Sequence, residues 1–125
     1  MNMLKKIDHV VITTGNAEAC LSFYQTLGFR VVDHGSHYEL YGGDFKINVH
    51  ILHQELEPKA EYVTCGSTDV CFEVDDDLLS LYQSFKDKKM HLISEPVTRY
   101  GVRGKMQSIY LRDPDGNLIE LCSYR

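Results

Sequence analysis

The sequence has no cluster of basic residues longer than a pair such as Lys88-Lys89, and its formal net charge is −5. Attraction to nucleic acid or to an anionic membrane grows with the number of cations presented together, so neither surface is an expected partner. A small molecule is the better expectation. None of the four cysteines, Cys20, Cys65, Cys71 and Cys122, stands in a CxxC pair. That spacing argues against a structural zinc site and leaves free, mostly buried thiols as the reading. There is also no long apolar run: the opening MNMLKKIDHVVITT carries only a strand-length stretch, broken by Asp8 and His9. A targeting leader is therefore not expected, and a cytoplasmic location is.

What is present fits one compact α+β domain of 125 residues. Ile7 to Thr13 alternates as a strand, with His9, Val11 and Thr13 on one face. Asn16 can cap a helix from Ala17 to Leu27, whose stripe is Cys20, Leu21, Phe23, Tyr24 and Leu27 before Gly28. Strands follow at Phe29–His34, Tyr38–Tyr41 and Phe45–Leu52, the last two parted by Gly42-Gly43-Asp44. Gln54 to Gly66 keeps no period and reads as an exposed linker.

The second half repeats the order. Asp69 to Val74 is a strand, Asp75 to Asp77 cap and charge a helix start, and Leu78, Leu81, Tyr82 and Phe85 form the stripe of a helix ending near Lys89. Met90 to Ile93 is expected as a short strand, followed by a glycine-bearing loop from Arg99 to Lys105. Gln107–Leu111 and Asn117–Ser123 are strands joined by Asp113-Pro114-Asp115-Gly116, a strong hairpin signal.

These are two tandem βαβββ modules, residues 1–53 and 67–125, in which His9 matches Asp69 and Leu21 matches Leu81. The match of element order carries that inference. Side by side, two such modules would make a half-open eight-stranded barrel with helices outside and a concave face for a ligand.

Three segments, IDHVVITT (Ile7–Thr14), FYQTLGFRVV (Phe23–Val32) and SIYLRDPDGNLIELCSY (Ser108–Tyr124), resemble the vicinal-oxygen-chelate superfamily of glyoxalase I, bleomycin-resistance proteins and extradiol dioxygenases. FKINVHILHQELEPK (Phe45–Lys59) further resembles a glyoxalase-domain subgroup of unassigned activity. The resemblance implies a divalent ion (Mn, Ni, Fe, Mg or Zn) held by first-strand and last-strand residues of both modules. Those positions fall on His9, Asp69 and Glu120, while Asn48 stands where glyoxalase I has a glutamate. His50, on the same strand face as Asn48, could add a nitrogen. Asp69 departs from the family's histidine, and its shorter side chain leaves a carboxylate-rich set suited to a hard metal.

Each of these residues also has a plainer reading. His9 could be hydrogen-bonded in place, Glu120 could be compensated by a buried Arg or His, and Asp69 could cap a turn. Ser108, Tyr110 and Arg112 share a face. The resemblance turns that face inward and offers Tyr110 to an oxyanion, although Tyr110 could simply pack and Arg112 could pair with Asp113 or Asp115. The Arg99–Lys105 loop, with Arg103, resembles a substrate-closing loop, or is merely solvated.

The resemblance thus implies a metal-dependent glyoxalase-like lyase, isomerase or thiol transferase. In that enzyme Glu120 is the base, and Asn48, Ser108, Tyr110 and Arg103 meet a small oxygen-rich substrate such as a thiol conjugate. The alternative is a metal-free sequestering protein, with ring-cleaving dioxygenase chemistry behind both. A homodimer is expected, without nucleic acid or membrane.

Overall fold

A computed structural model describes residues 2–75 and 77–125; Met1 and Asp76, with Asp76's expected share in capping the second helix, lie outside the described residues. The chain divides into two compact units at Gly66/Ser67. Each unit holds one helix and one four-stranded mixed sheet, giving two helices and eight strands in an α+β arrangement.

In the first module, β1 (His9–Thr14), α1 (Ala17–Thr26), β2 (Arg30–Asp33), β3 (Tyr38–Tyr41) and β4 (Lys46–Ile51) give the sheet order β1-β4-β3-β2, with β1 and β4 parallel. The Asn16 side chain accepts the Ala19 amide at 3.2 Å and so starts α1. Gly28 follows the helix at φ +106°, a conformation that favours glycine. Strand alternation sends Ile12, Leu40, Ile47 and Val49 to one face, each at most 2% exposed, and α1 adds Cys20 and Tyr24 to the core. Edge-to-face ring contacts chain Phe23, Tyr24, Phe29 and Phe45 together at 5.0 to 5.8 Å.

In the second module, β5 (Asp69–Glu73), α2 (Leu78–Asp87), β6 (Val97–Gly101), β7 (Gly104–Arg112) and β8 (Leu118–Ser123) repeat the plan, with order β5-β8-β7-β6 and β5 parallel to β8. Asp77 caps α2 by accepting the Leu79 amide and the Ser80 hydroxyl. The core is Phe72, Leu78, Phe85, Ile109, Leu111, Ile119 and Leu121.

The DPDG turn is a buried polar knot. One Asp113 carboxylate oxygen accepts the Asp115 and Asn117 amides, the other accepts the Asn117 side chain, and Asn117 Oδ1 accepts the Thr68 amide at 2.9 Å. The turn is thereby tied to the entrance of β5.

Two expectations are corrected. Met90–Ile93 is not a strand but touches β7 through one bridge, Leu92 to Leu111. Most of that edge is taken by Val97–Gly101, whose Val, Thr and Tyr suit a strand, pairing with residues 104–108. Consequently Arg99–Lys105 is no open loop. It is a β-hairpin closed by the two residues Val102 and Arg103 between paired Gly101 and Gly104. Among the described residues, no helix is long and apolar enough to cross a membrane. Among the described residues no disulfide joins the cysteines; Cys20 and Cys122 are buried, Cys65 is half-buried and Cys71 is exposed.

Candidate functional site

Each sheet has one apolar face and one polar face. The register makes the two polar faces equivalent position by position. His9 pairs with Lys46 and Val11 with Asn48 in the first module, as Asp69 pairs with Leu118 and Cys71 with Glu120 in the second. Glu39 opposes Asn48 as Tyr110 opposes Glu120. The repeat thus superposes His9 on Asp69, Asn48 on Glu120, and Glu39 on Tyr110.

On the first face Glu39 is a hub. Its carboxylate accepts from Lys46, from His34 and, at 3.2 Å, from Tyr41. The Lys46, His34 and Tyr41 donors hold its pKa down at about 2. His37 stacks on His34 at 4.7 Å and meets His50 edge-on at 6.4 Å. Burial, together with the neighbouring His37, lowers the His50 pKa, so its imidazole is neutral at physiological pH. Asn48 Oδ1 is buried with no hydrogen-bond partner among the described residues. His9 is exposed, and its Nδ1 bonds the Asp8 carboxylate at 2.8 Å.

On the second face the half-buried Glu120 carboxylate accepts the hydroxyl of fully buried Ser108 at 2.6 Å. Tyr110 lies directly opposite, its hydroxyl accepting Arg99 Nε at 3.1 Å while the guanidinium sits 5.6 Å from the ring centre. Cys71 and Cys122 flank Glu120. Although Cys71 is exposed as a residue, desolvation of its sulfur, followed by Cys122 and Glu120, pushes its thiol up, while burial chiefly raises Cys122, so both stay protonated. Asp69 is exposed, and no described hydrogen bond or ion pair engages it. Thr68's amide is satisfied by Asn117, so Asp69 is not the cap at this strand entrance. Arg112 donates to the Gly116 carbonyl at 3.4 Å.

Arg103 is engaged within its own module. Its two terminal nitrogens grip the Glu73 carboxylate at 3.1 and 2.7 Å, and its guanidinium lies 4.1 Å over the Tyr124 ring.

The metal donors expected from sequence do not assemble within either module. His9 and His50 stand four residues apart in register, about 13 Å along the strands. Asp69 and Glu120 are offset by two residues, about 7 Å. Asn48 offers a neutral amide where the repeat has a carboxylate. Among the described residues, no group of three or more His, Cys, Asp or Glu is arranged to hold an ion.

The sequence reading gave His34 and His37 no role, took Cys71 only as a thiol, and did not single out Glu39, Glu73 or Tyr124. Strand alternation would have grouped Glu39 with Asn48 and Glu73 with Asp69. The hydrogen bond from Arg103 to Glu73, 30 residues apart, carries no local signal.

The family model of the Glyoxalase/Bleomycin resistance protein/Dioxygenase superfamily matches residues 6–121. Glyoxalase domain-containing protein RDO1 of Mycosarcoma maydis is 39% identical over 98% of this chain and 70% of its own length. Virulence protein STM3117 of Salmonella typhimurium is 37% identical over 98% of this chain and 86% of its own. A solved structure from the mobile metagenome of V. Pseudocholerae has a TM-score of 0.94 and 38% identity, over 100% of this chain and 98% of that one.

Proposed function

Since the chain belongs to the glyoxalase/bleomycin resistance protein/dioxygenase superfamily, we propose that it acts on a small oxygen-rich carbonyl compound, such as a thiol conjugate, at the polar face of the second module. The observation that carries this reading is Glu120, a half-buried carboxylate with Ser108 as its hydrogen-bond donor and Tyr110 directly across the strand pair. Directly opposed strand residues have Cβ atoms about 5 Å apart, so one small molecule can meet both side chains.

In the proposed reaction Glu120 takes the proton from the carbon beside the carbonyl. Tyr110, oriented by Arg99, donates to the oxygen on which negative charge develops. The hydroxyl proton of the deprotonated carbon passes to that oxygen and Glu120 gives its proton to the former carbonyl carbon, so the deprotonated carbon becomes the new carbonyl, an isomerisation with no net change in composition. Each of these steps is carried by the chain's own side chains.

The test uses the hemithioacetal of methylglyoxal and glutathione, followed by thioester absorbance. Wild type should turn it over and Glu120→Gln should lose at least about 100-fold in kcat, the usual size of a general-base contribution. Equal rates would remove Glu120 from the chemistry. The second reading, a metal-free sequestering protein, is favoured by the neutral amide of Asn48 where the repeat has a carboxylate, and it predicts saturable binding without turnover. A cytoplasmic homodimer belongs to the same proposal, and sedimentation equilibrium checks its stoichiometry.

A further inference from the structure

Arg103 sits at the tip of the β6–β7 hairpin, and Glu73 ends β5 at the opposite edge of the same sheet. Two features fix the guanidinium between them. The Tyr124 ring lies 4.1 Å below it, and the Arg103 amide donates to the Tyr124 hydroxyl at 3.3 Å. The hairpin is seated just as tightly, since a Cβ on Gly101 would come within 2.1 Å of that hydroxyl. A planar fork held this way is preorganised for one kind of guest, a carboxylate accepting two parallel hydrogen bonds.

Glu73 is such a guest, and it belongs to the polar face that carries Cys71 and Glu120. The pair is open to solvent, with side chains 59% and 44% exposed. Exposed ion pairs contribute little to stability, so exchanging one carboxylate for another is energetically easy. The tip is also cationic, with Arg99, Arg103 and Lys105 close together in a chain of net charge −5.

We propose that Arg103 and Tyr124 form a carboxylate-binding subsite in which Glu73 stands in for the ligand's carboxylate until the ligand displaces it. The subsite deepens the functional reading by assigning the substrate a carboxylate, and it rests on that reading only for its place beside Glu120. Glu73 is then a built-in competitor that sets the concentration at which the ligand enters.

The experiment titrates sodium acetate into the full chain and follows the Arg103 Nε–H resonance and, in the Arg103 variants as well, the Tyr124 ring resonances, with sodium chloride as the ionic-strength control. Glu73→Gln should bind acetate about fivefold more tightly than wild type, the scale expected when an exposed competing pair is removed. Glu73→Ala should do the same, and adding Arg103→Lys should abolish the gain, because an ammonium keeps the charge but not the fork. Equal acetate affinity in wild type and both Glu73 variants would overturn the proposal, as would acetate binding that survives Arg103→Ala. Acetate needs no base, so Glu120→Gln should leave the titration unchanged. Failure here with Glu120 chemistry intact removes the subsite alone.

Discussion

Replacing Asn117 with alanine should destabilise the protein by about 3 kcal/mol. The side chain is 1% exposed and makes two hydrogen bonds, donating to Asp113 at 2.7 Å and accepting the Thr68 amide at 2.9 Å. A hydrogen bond to a charged partner contributes roughly 1.5–3 kcal/mol, and a buried amide left without its acceptor costs about 1–3 kcal/mol. Because both losses arise at one residue they overlap, and about 3 kcal/mol is the combined figure. For a chain of this length that corresponds to a fall in Tm of roughly 10 °C. Urea unfolding followed by circular dichroism measures it. Asn117→Asp is the sharper control, because it keeps volume and acceptor but sets a second carboxylate against Asp113, and it should be at least as destabilised. A loss below about 1 kcal/mol in either variant would refute the assignment of the turn knot as the anchor of β5 and β8.

Ser108→Ala removes the hydroxyl that holds Glu120 and should cost about 2 kcal/mol of stability and several-fold in kcat, measured by urea melts and the thioester assay. Glu39 has its pKa depressed to about 2, so its stabilising contribution is present above the ordinary value of 4.5 and is lost as pH falls toward 2. Stability profiles of wild type and Glu39→Gln should therefore converge across that window. The lowered pKa of His50 disfavours its charged form, so stability should fall as pH drops below 6.5, and His50→Gln should flatten that slope.

The module plan was legible because each module announces itself locally. Asn16 and Gly28 bracket the first helix, Gly42-Gly43-Asp44 parts two strands, and the DPDG turn joins two more. The turn chemistry also located Asn48 and Glu120, which the register makes equivalent. Val97–Gly101 was misread because two glycines in a basic stretch look like a loop; with only Val102 and Arg103 between the paired glycines they close a hairpin instead. Alternation tells which face a side chain takes but not how far along the strand its partner lies. His9 and His50 share a face and are four residues apart in register. The clasp of Arg103 on Glu73 depends on a sheet-spanning approach that no local pattern encodes.

Deuterium uptake from heavy water gives the most direct test of Glu120 as the base. Glu120 is half-buried, so the proton it holds exchanges with solvent before one is returned; with the methylglyoxal–glutathione hemithioacetal, wild type should incorporate solvent deuterium at the carbon that receives the proton, while folded Glu120→Gln should incorporate essentially none. Equal incorporation by the two proteins would contradict the account.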